Sequence, residues 1–500
     1  MQTFLNKSIP VVIKKSLLNR TNKNWYPSQA HPKSINSKID VEIDEKNPLR
    51  IIIAGGGLGG LFAAICLLNA GMEVTVLEKT SNYRPLGGPI QLASNGIGTV
   101  KLISERLYKG INNVARPFWG TESGIRDGLT SEWMFKFDAI TELPCDLNLP
   151  FSICIDRSDL QSELLTEIGQ IGKKNAVHMA SMMKSYEINS LGEVIVHLSD
   201  SIDSPLIGDI LIGADGIWSQ TRSILFDEPL GSSSASSTAS FTGFKLFSGL
   251  PQFASEDLLE IGYCAYIGPD NYFVICPDKG GRVQWYAFMK SLPGSVNKTE
   301  PVEYLLGKFA DWNPMICNLI KATNFDEVTQ RDLWDRSPII RRDWSKDCVT
   351  LLGDSCHATM PNIGQGCGLA FEDGYILSLL LKDMKTRREI PQVLKKFYRK
   401  RIFRTAVVQG LGRLNSEAIK LLTPLLPYRR FVDTVLTPFL PLVFRLQFWY
   451  CYSFCPINMD VDESLEQAKH MKEKFKRESK IAWKSFGLQN SWNESLHPHQ

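Results

Sequence analysis

The first stretch of the chain carries apolar residues only in short pieces. Ile9–Val12 and Ser16–Leu18 are separated by Lys14 and Lys15. The pattern changes at Arg50, where Arg50-Ile51-Ile52-Ile53-Ala54 forms a continuous apolar run of the kind a buried strand requires. A glycine cluster follows, then a helical stretch over Leu58–Ala70 and a second strand over Glu73–Leu77. This order predicts a parallel, right-handed βαβ opening. Further strands are expected at Ser131–Asp138, Glu193–His197 and Asp209–Gly213. Gly231–Ser240 is almost all Ser, Ala and Thr and reads as a connection. Beyond it, Phe241–Ser248, Gly262–Gly268, Tyr272–Cys276 and Val283–Lys290 predict a second, sheet-based region. Cys348–Leu352 reads as another buried strand and Cys367–Leu381 as a long helix. Ile419–Pro456 is apolar and aromatic, broken by Pro424, Pro427, Pro438 and Pro441. Val461–Phe486 is charged and helical in pattern.

These elements imply an α/β fold. It comprises a Rossmann-like domain over 49–230 and 331–415, an inserted β-sheet substrate domain over 241–330, and a helical, hydrophobic C-terminal segment over 416–490. Residues 1–48 form a tail ahead of it. The first 38 residues hold seven Lys or Arg and no acid, a composition that suits an organelle transit peptide. No run of eighteen apolar residues occurs, which argues against a bilayer-spanning helix. The short aromatic pieces of 416–456 suit either the surface of a membrane or a cap over a substrate cavity. A net charge of +3 gives no footprint for nucleic acid. The eleven cysteines include no Cys-x-x-Cys pair, so no zinc site or disulfide framework is expected.

The chemistry concentrates in three glycine motifs. Gly55-x-Gly57-x-x-Gly60 stands between the first strand and the first helix. Its glycines serve a tight turn, a backbone approach to a pyrophosphate, and close packing of helix on strand. Glu78 ends the second strand, 18 residues after Gly60, at the spacing of a ribose-binding acid. Gly213-Ala214-Asp215-Gly216 follows a later strand, with Arg222 just beyond. Gly353-Asp354 ends a third, followed by His357, Pro361, Gly364, Gly366 and a helix. Asp354 offers a carboxylate to hydroxyls such as those of a ribityl chain. Gly364 and Gly366 admit a ring edge beside a helix N-terminus. The trio points to FAD held across one domain, and no second dinucleotide fingerprint is present. Tyr263, Tyr266, Tyr272 and Tyr286 are candidate substrate-facing groups. His357, inside a motif loop, suits a structural role.

The same residues resemble those of the flavoprotein monooxygenases related to para-hydroxybenzoate hydroxylase. Arg157-Ser158-Asp159-Leu160 resembles that family's Arg-x-x-Leu segment, which implies that Arg157 approaches the cofactor. Within it, Gly88-Pro89-Ile90-Gln91 with Ser94-Asn95, Asp127-Gly128-Leu129, Phe135–Asp138, Gly213–Ser219, Gln284–Phe288 and Leu351–Gly366 are similar to segments of the zeaxanthin epoxidase group. The likeness runs from about Arg50 to about Arg413. Plant members of that group carry a further phosphopeptide-binding domain, and Cys356 and Cys367 are unusual at their positions.

The resemblance implies an FAD enzyme reduced by NAD(P)H or by a redox protein such as reduced ferredoxin. It would insert one atom of O2 into a lipophilic small molecule, a carotenoid of the xanthophyll type, in a chloroplast or other plastid with peripheral membrane contact. A hydroxylase of aromatic or polyketide substrates is the same-fold alternative. A non-catalytic flavin-binding sensor or scaffold is the alternative of another class.

Overall fold

The computed structural model describes residues 42–83, 88–172, 174–199, 205–231, 239–251, 258, 260–268, 270–277, 283–294, 300–338, 340, 342–422, 434, 437–454, 466, 469, 470, 473, 474 and 477. Most of the tail at 1–48, most of the Gly231–Ser240 connection and most of Val461–Phe486 lie outside them.

The first sheet has six strands in the order Ser345–Lys346, Val349–Leu351, Ile210–Gly213, Arg50–Ala54, Glu73–Leu77, Val177–His178. All pairs are parallel except the short edge strand Ser345–Lys346. Arg50–Ala54 is central, with Ile53 opposite Ile212 on one side and Val76 on the other. It is covered on both faces, so an unbroken apolar run is what this position needs. The helix Leu58–Asn69 follows it and is buried nearly all round. It packs on the helix Gly366–Lys382 through small residues and one ring pair. A Cβ on Gly374 would come within 2.9 Å of the Ala63 backbone, and Phe62 stacks on Phe371 at 4.1 Å. That close crossing brings the first and last motifs together although they are some 300 residues apart.

The second sheet has seven strands in the order Thr329–Arg336, Ala239–Gly249, Val283–Lys290, Asn271–Pro277, Ile261–Ile267, Glu122–Asp127, Trp133–Lys136. Alternate residues sort to two faces, as the pleat dictates. Phe247, Trp285, Phe273 and Cys264 pack against the helices Pro301–Lys308 and Pro314–Lys321. Leu246, Phe288 and Val274 face the other way. This sheet is wider than the sequence implies. It takes Glu122–Asp127 and Trp133–Lys136 from inside the stretch assigned to the Rossmann-like domain. It also takes Thr329–Arg336 from across the expected boundary at 330/331. The boundary at 415/416 likewise falls within one helix, Ile390–Leu422. Pairing between distant strands leaves no mark in local periodicity, and a 33-residue helix that crosses several environments has no single apolar stripe.

The helix Leu440–Tyr452 lies in the C-terminal segment. Its inner face, Phe444, Phe448 and Tyr452, packs on Phe135 and Phe137, with ring centroids 5.3 Å apart for Phe135–Phe444 and 5.9 Å for Phe137–Phe448. Arg445 pairs with Glu142 and with Asp146, the latter at 2.7 Å. Among the described residues no helix is long and apolar enough to cross a membrane.

Candidate active site

A cavity of about 430 Å3 lies where the carboxyl ends of the parallel strands meet the seven-stranded sheet. Of the residues expected to bind a cofactor, Gly57, Gly60, Arg157, Gly216, Asp354, Pro361, Gly364 and Gly366 line it. Gln91, Leu246, Tyr263, Val274, Tyr286, Phe288, Arg331, Leu333 and Trp334 form the rest of its wall, with others.

The glycines of the first motif differ in what they do. Gly55 has φ +114°, and a Cβ there would meet the Ala214 carbonyl oxygen at 2.4 Å. A Cβ on Gly60 would meet the Gly55 carbonyl oxygen at 2.0 Å. Both glycines are therefore required by the protein itself. Gly57 has an ordinary φ of −70° and open space where its Cβ would be. That open space lies at the N-terminus of Leu58–Asn69, whose first N–H groups are available to a phosphate.

Glu78 and Asp215 do not line the cavity. One carboxylate oxygen of Glu78 accepts from the Gly56 N–H at 3.0 Å, and the other accepts from the Thr80 N–H and hydroxyl, both at 2.9 Å. Glu78 thus braces the glycine loop from behind. Asp215 accepts from the Ser219 hydroxyl and, at 2.9 and 3.0 Å, from the N–H and hydroxyl of Thr221. It secures the turn into the helix Gln220–Phe226, and burial raises its carboxyl pKa in spite of those bonds.

Asp354 projects into the cavity from a turn made by Gly353 at φ +66°. Its side chain is exposed at the cavity wall. Burial raises its pKa, while His357 and Arg157 act in the opposite sense. Gly364, at φ +61°, lies so close to Gln91 that a Cβ would meet the amide oxygen at 2.6 Å. The helix Gly366–Lys382 begins at the cavity wall, so its N-terminal dipole points inward. Tyr286 donates to the Pro89 carbonyl at 2.8 Å, which joins the Gly88–Gln91 and Gln284–Phe288 segments. Tyr263 and Tyr286 line the cavity, and burial raises both phenols. Tyr266 and Tyr272 are buried within the sheet.

Around the motif residues Arg222 and His357 stand several positioning residues with no signal in the sequence: Ser355, Glu372, Asp373, Arg401 and Arg404. Ser355 donates to the Gly213 carbonyl at 2.6 Å, and Arg222 donates to the Ser355 carbonyl at 3.1 Å, so the second and third motifs are tied together. His357 is fully buried and lies 2.6 Å from Asp373. Asp373 also accepts from the Gly353 N–H at 3.0 Å and from Arg401 at 2.6 Å. Glu372 next to it pairs with Arg401 at 2.8 Å and Arg404 at 2.7 Å.

The fold and cavity suit a flavoprotein in which Gly57, Gly60, Asp354, Pro361, Gly364 and Gly366 would hold a dinucleotide at the strand ends. Two family models, both described as FAD binding domain, match residues 50–119 and 194–409. The chloroplastic zeaxanthin epoxidase of Prunus armeniaca is 33% identical over 378 residues, which cover 73% of this chain and 54% of that protein. The chain thus spans about half the length of the curated relatives it matches. Among solved structures, Klebsiella pneumoniae HpxO complexed with FAD and uric acid shares the fold at a TM-score of 0.68 and 21% identity, covering 80% of this chain and 97% of its own. A salicylate hydroxylase substrate complex does so at 0.64 and 20%, covering 85% and 98%. The chain thus carries FAD-binding domains, with FAD as cofactor, and is similar to FAD-dependent monooxygenases.

Proposed function

We propose that this chain inserts one atom of O2 into a ring double bond of a lipophilic substrate, a xanthophyll such as zeaxanthin, to give an epoxide. The observation that carries this reading is the chemistry of the cavity wall opposite the flavin motifs. Leu246, Val274, Phe288, Leu333 and Trp334 make it largely apolar. Asp354 is the one carboxylate among the described lining residues, and it stands in a flavin motif. The phenols of Tyr263 and Tyr286 titrate above their ordinary value, and His357 is occupied with Asp373. No side chain there is suited to remove a proton from a phenol at neutral pH. Oxygen transfer to an alkene needs no such base. Bound FAD supplies the activation of O2, with electrons from NAD(P)H or a reduced redox protein such as ferredoxin. The protein's residues supply the cradle, orientation and exclusion of water. Incubation of the FAD-loaded protein and a reductant with zeaxanthin in lipid vesicles is expected to give products with one and two added oxygens. Hydroxylation of phenols with the xanthophyll untouched would replace this reading with the aromatic-hydroxylase one.

A plastid location and contact with a membrane surface belong to the same proposal, because a carotenoid partitions into lipid. The outer face of Leu440–Tyr452 and the turn before it exposes Phe439, Leu442, Val443, Leu446 and Trp449, each at least half exposed. No residue of that helix lines the cavity among the described residues, so an apolar cap gains no support from it. Changing Leu446 and Trp449 together to Ser should weaken liposome binding roughly tenfold or more, since each buries apolar area worth ~1.5–3 kcal/mol when fully inserted. The thermal midpoint should hold. Phe448→Ser should lower the midpoint instead, because that ring is 7% exposed and packs on Phe137. Unchanged vesicle binding in the double variant would remove the membrane from the proposal.

A further inference from the structure

Arg331 stands in the strand Thr329–Arg336, on the cavity side of the seven-stranded sheet. Its register partner Leu246 lines the same wall, and Leu246 is opposite Phe288 in turn, so the guanidinium is flanked by apolar surface. Among the described residues it has no carboxylate and no hydrogen-bond partner. Three arginines behind the motifs are paired: Arg222 has Glu228 at 3.0 Å, Arg401 has Asp373 at 2.6 Å, and Arg404 has Glu372 at 2.7 Å. The Arg331 side chain is exposed and lines the cavity, so its N–H donors are open to an acceptor on whatever occupies that space.

The occupant it faces is the substrate. Arg331 belongs to the seven-stranded sheet with Leu246 and Phe288, whereas the glycine motifs and Asp354 stand on the six-stranded sheet and its helices, so Arg331 lines the cavity from the second sheet. We propose that Arg331 is the substrate-positioning residue of this cavity: its guanidinium donates to an oxygen substituent on the ring to be oxidised, so the site selects oxygenated rings over hydrocarbon rings. A planar fork of N–H donors accepts a hydroxyl or a carboxylate in a fixed orientation and holds the ring in one register. The choice of a hydroxylated cyclohexene as that ring rests on the epoxidase reading; the role of Arg331 does not.

The test is binding to the FAD-loaded protein, followed by the perturbation of flavin absorbance. The probes are β-ionone, its 3-hydroxy derivative, and the pair benzene and benzoate. Wild-type protein should prefer the oxygenated member of at least one pair by about 10- to 100-fold, the range of a hydrogen bond to a charged group. In Arg331→Leu that preference should fall to within about threefold through weaker binding of the oxygenated ligand, with the hydrocarbon little changed. Arg331→Gln, which keeps an N–H donor, should retain part of a preference for hydroxyl and little of one for carboxylate. Arg331→Lys carries the test if the Leu variant does not fold. Preference for the hydroxylated ionone supports both the inference and the epoxidase reading. A preference confined to benzoate and lost in Arg331→Leu keeps the inference and overturns that reading. No preference in wild type, equal loss for both members of a pair, or loss of FAD from all three folded variants overturns the inference.

Discussion

Gly57→Val is expected to give a folded protein that takes up no FAD, whereas Gly60→Val is expected to fail at folding. The two positions are three residues apart in one motif, yet their surroundings are opposite. At Gly57 a side chain meets no strain, with φ −70°, and no atom within 4 Å. The space it fills is the part of the cavity beside the first N–H groups of Leu58–Asn69, where a pyrophosphate would be held. A valine there excludes the ligand without disturbing the core. Loss of a phosphate cradle should weaken FAD by at least ~100-fold, as displacement of the pyrophosphate forfeits several charge-assisted bonds worth about 1.5–3 kcal/mol each. At Gly60 the Cβ falls 2.0 Å from the Gly55 carbonyl oxygen, in a turn already fixed by Ala214. Neither backbone can yield without separating helix from strand, and the cost should reach about 3 kcal/mol or more. Flavin absorbance of the purified variants, with circular dichroism and thermal unfolding alongside, distinguishes the two effects. Wild-type flavin content in Gly57→Val would mean that the cofactor is held elsewhere.

The same contrast shows what a linear reading can and cannot recover. The strand Arg50–Ala54, its glycine loop and the helix after it were evident because their signals are local: an apolar run, three glycines at fixed spacing, and an acid at the end of the next strand. The second sheet was partly evident, since Val283–Lys290 and its neighbours are short apolar and aromatic runs, buried almost throughout. Its outer strands were not assigned to it because Glu122–Asp127 pairs with Ile261–Ile267, well over a hundred residues away. At the site, sequence spacing identified Asp215 and Asp354 alike as motif acids. Side-chain direction separates them: Asp215 turns into its own helix start, while Asp354 opens onto the cavity. Arg331 had no motif at all. It acquires meaning only when the strand brings it to an apolar wall with nothing to pair with. The aromatic stretch near the C-terminus suited either a membrane surface or a cavity cap, and the helix divides it into an inner face on Phe135 and Phe137 and an outer apolar face.

The largest expected loss of stability comes from Asp373, which no sequence motif marks. Its carboxylate is fully buried and receives His357, Arg401 and the Gly353 N–H together. The Sγ of Cys356, the His357 ring and the Asp373 carboxylate lie within 4.8 Å of one another, a spacing that would suit a metal ion, but Arg401 already supplies the positive charge there. Asp373→Ala strands a buried imidazolium and leaves Arg401 with Glu372 as its one carboxylate, and should cost about 3–5 kcal/mol. Because the same carboxylate holds the Gly353 turn, FAD affinity should fall in whatever protein remains folded.

The pH dependence follows from the two shifts. Burial opposes charge on both groups, but Asp373 raises His357 well above its usual 6.5, and His357 with Arg401 holds Asp373 below its usual 3.8. The raised histidine stabilises the fold fully below pH 6.5, and that contribution disappears as pH climbs through the folded value. The lowered carboxylate contributes fully above 3.8 and loses its effect as pH drops through its own folded value. Wild-type protein should therefore lose stability on the alkaline side of neutrality, where His357→Gln, with no proton to release, should show a flatter profile. Parallel alkaline profiles for the two proteins would show that His357 is neutral in the fold and that Arg401 alone balances Asp373.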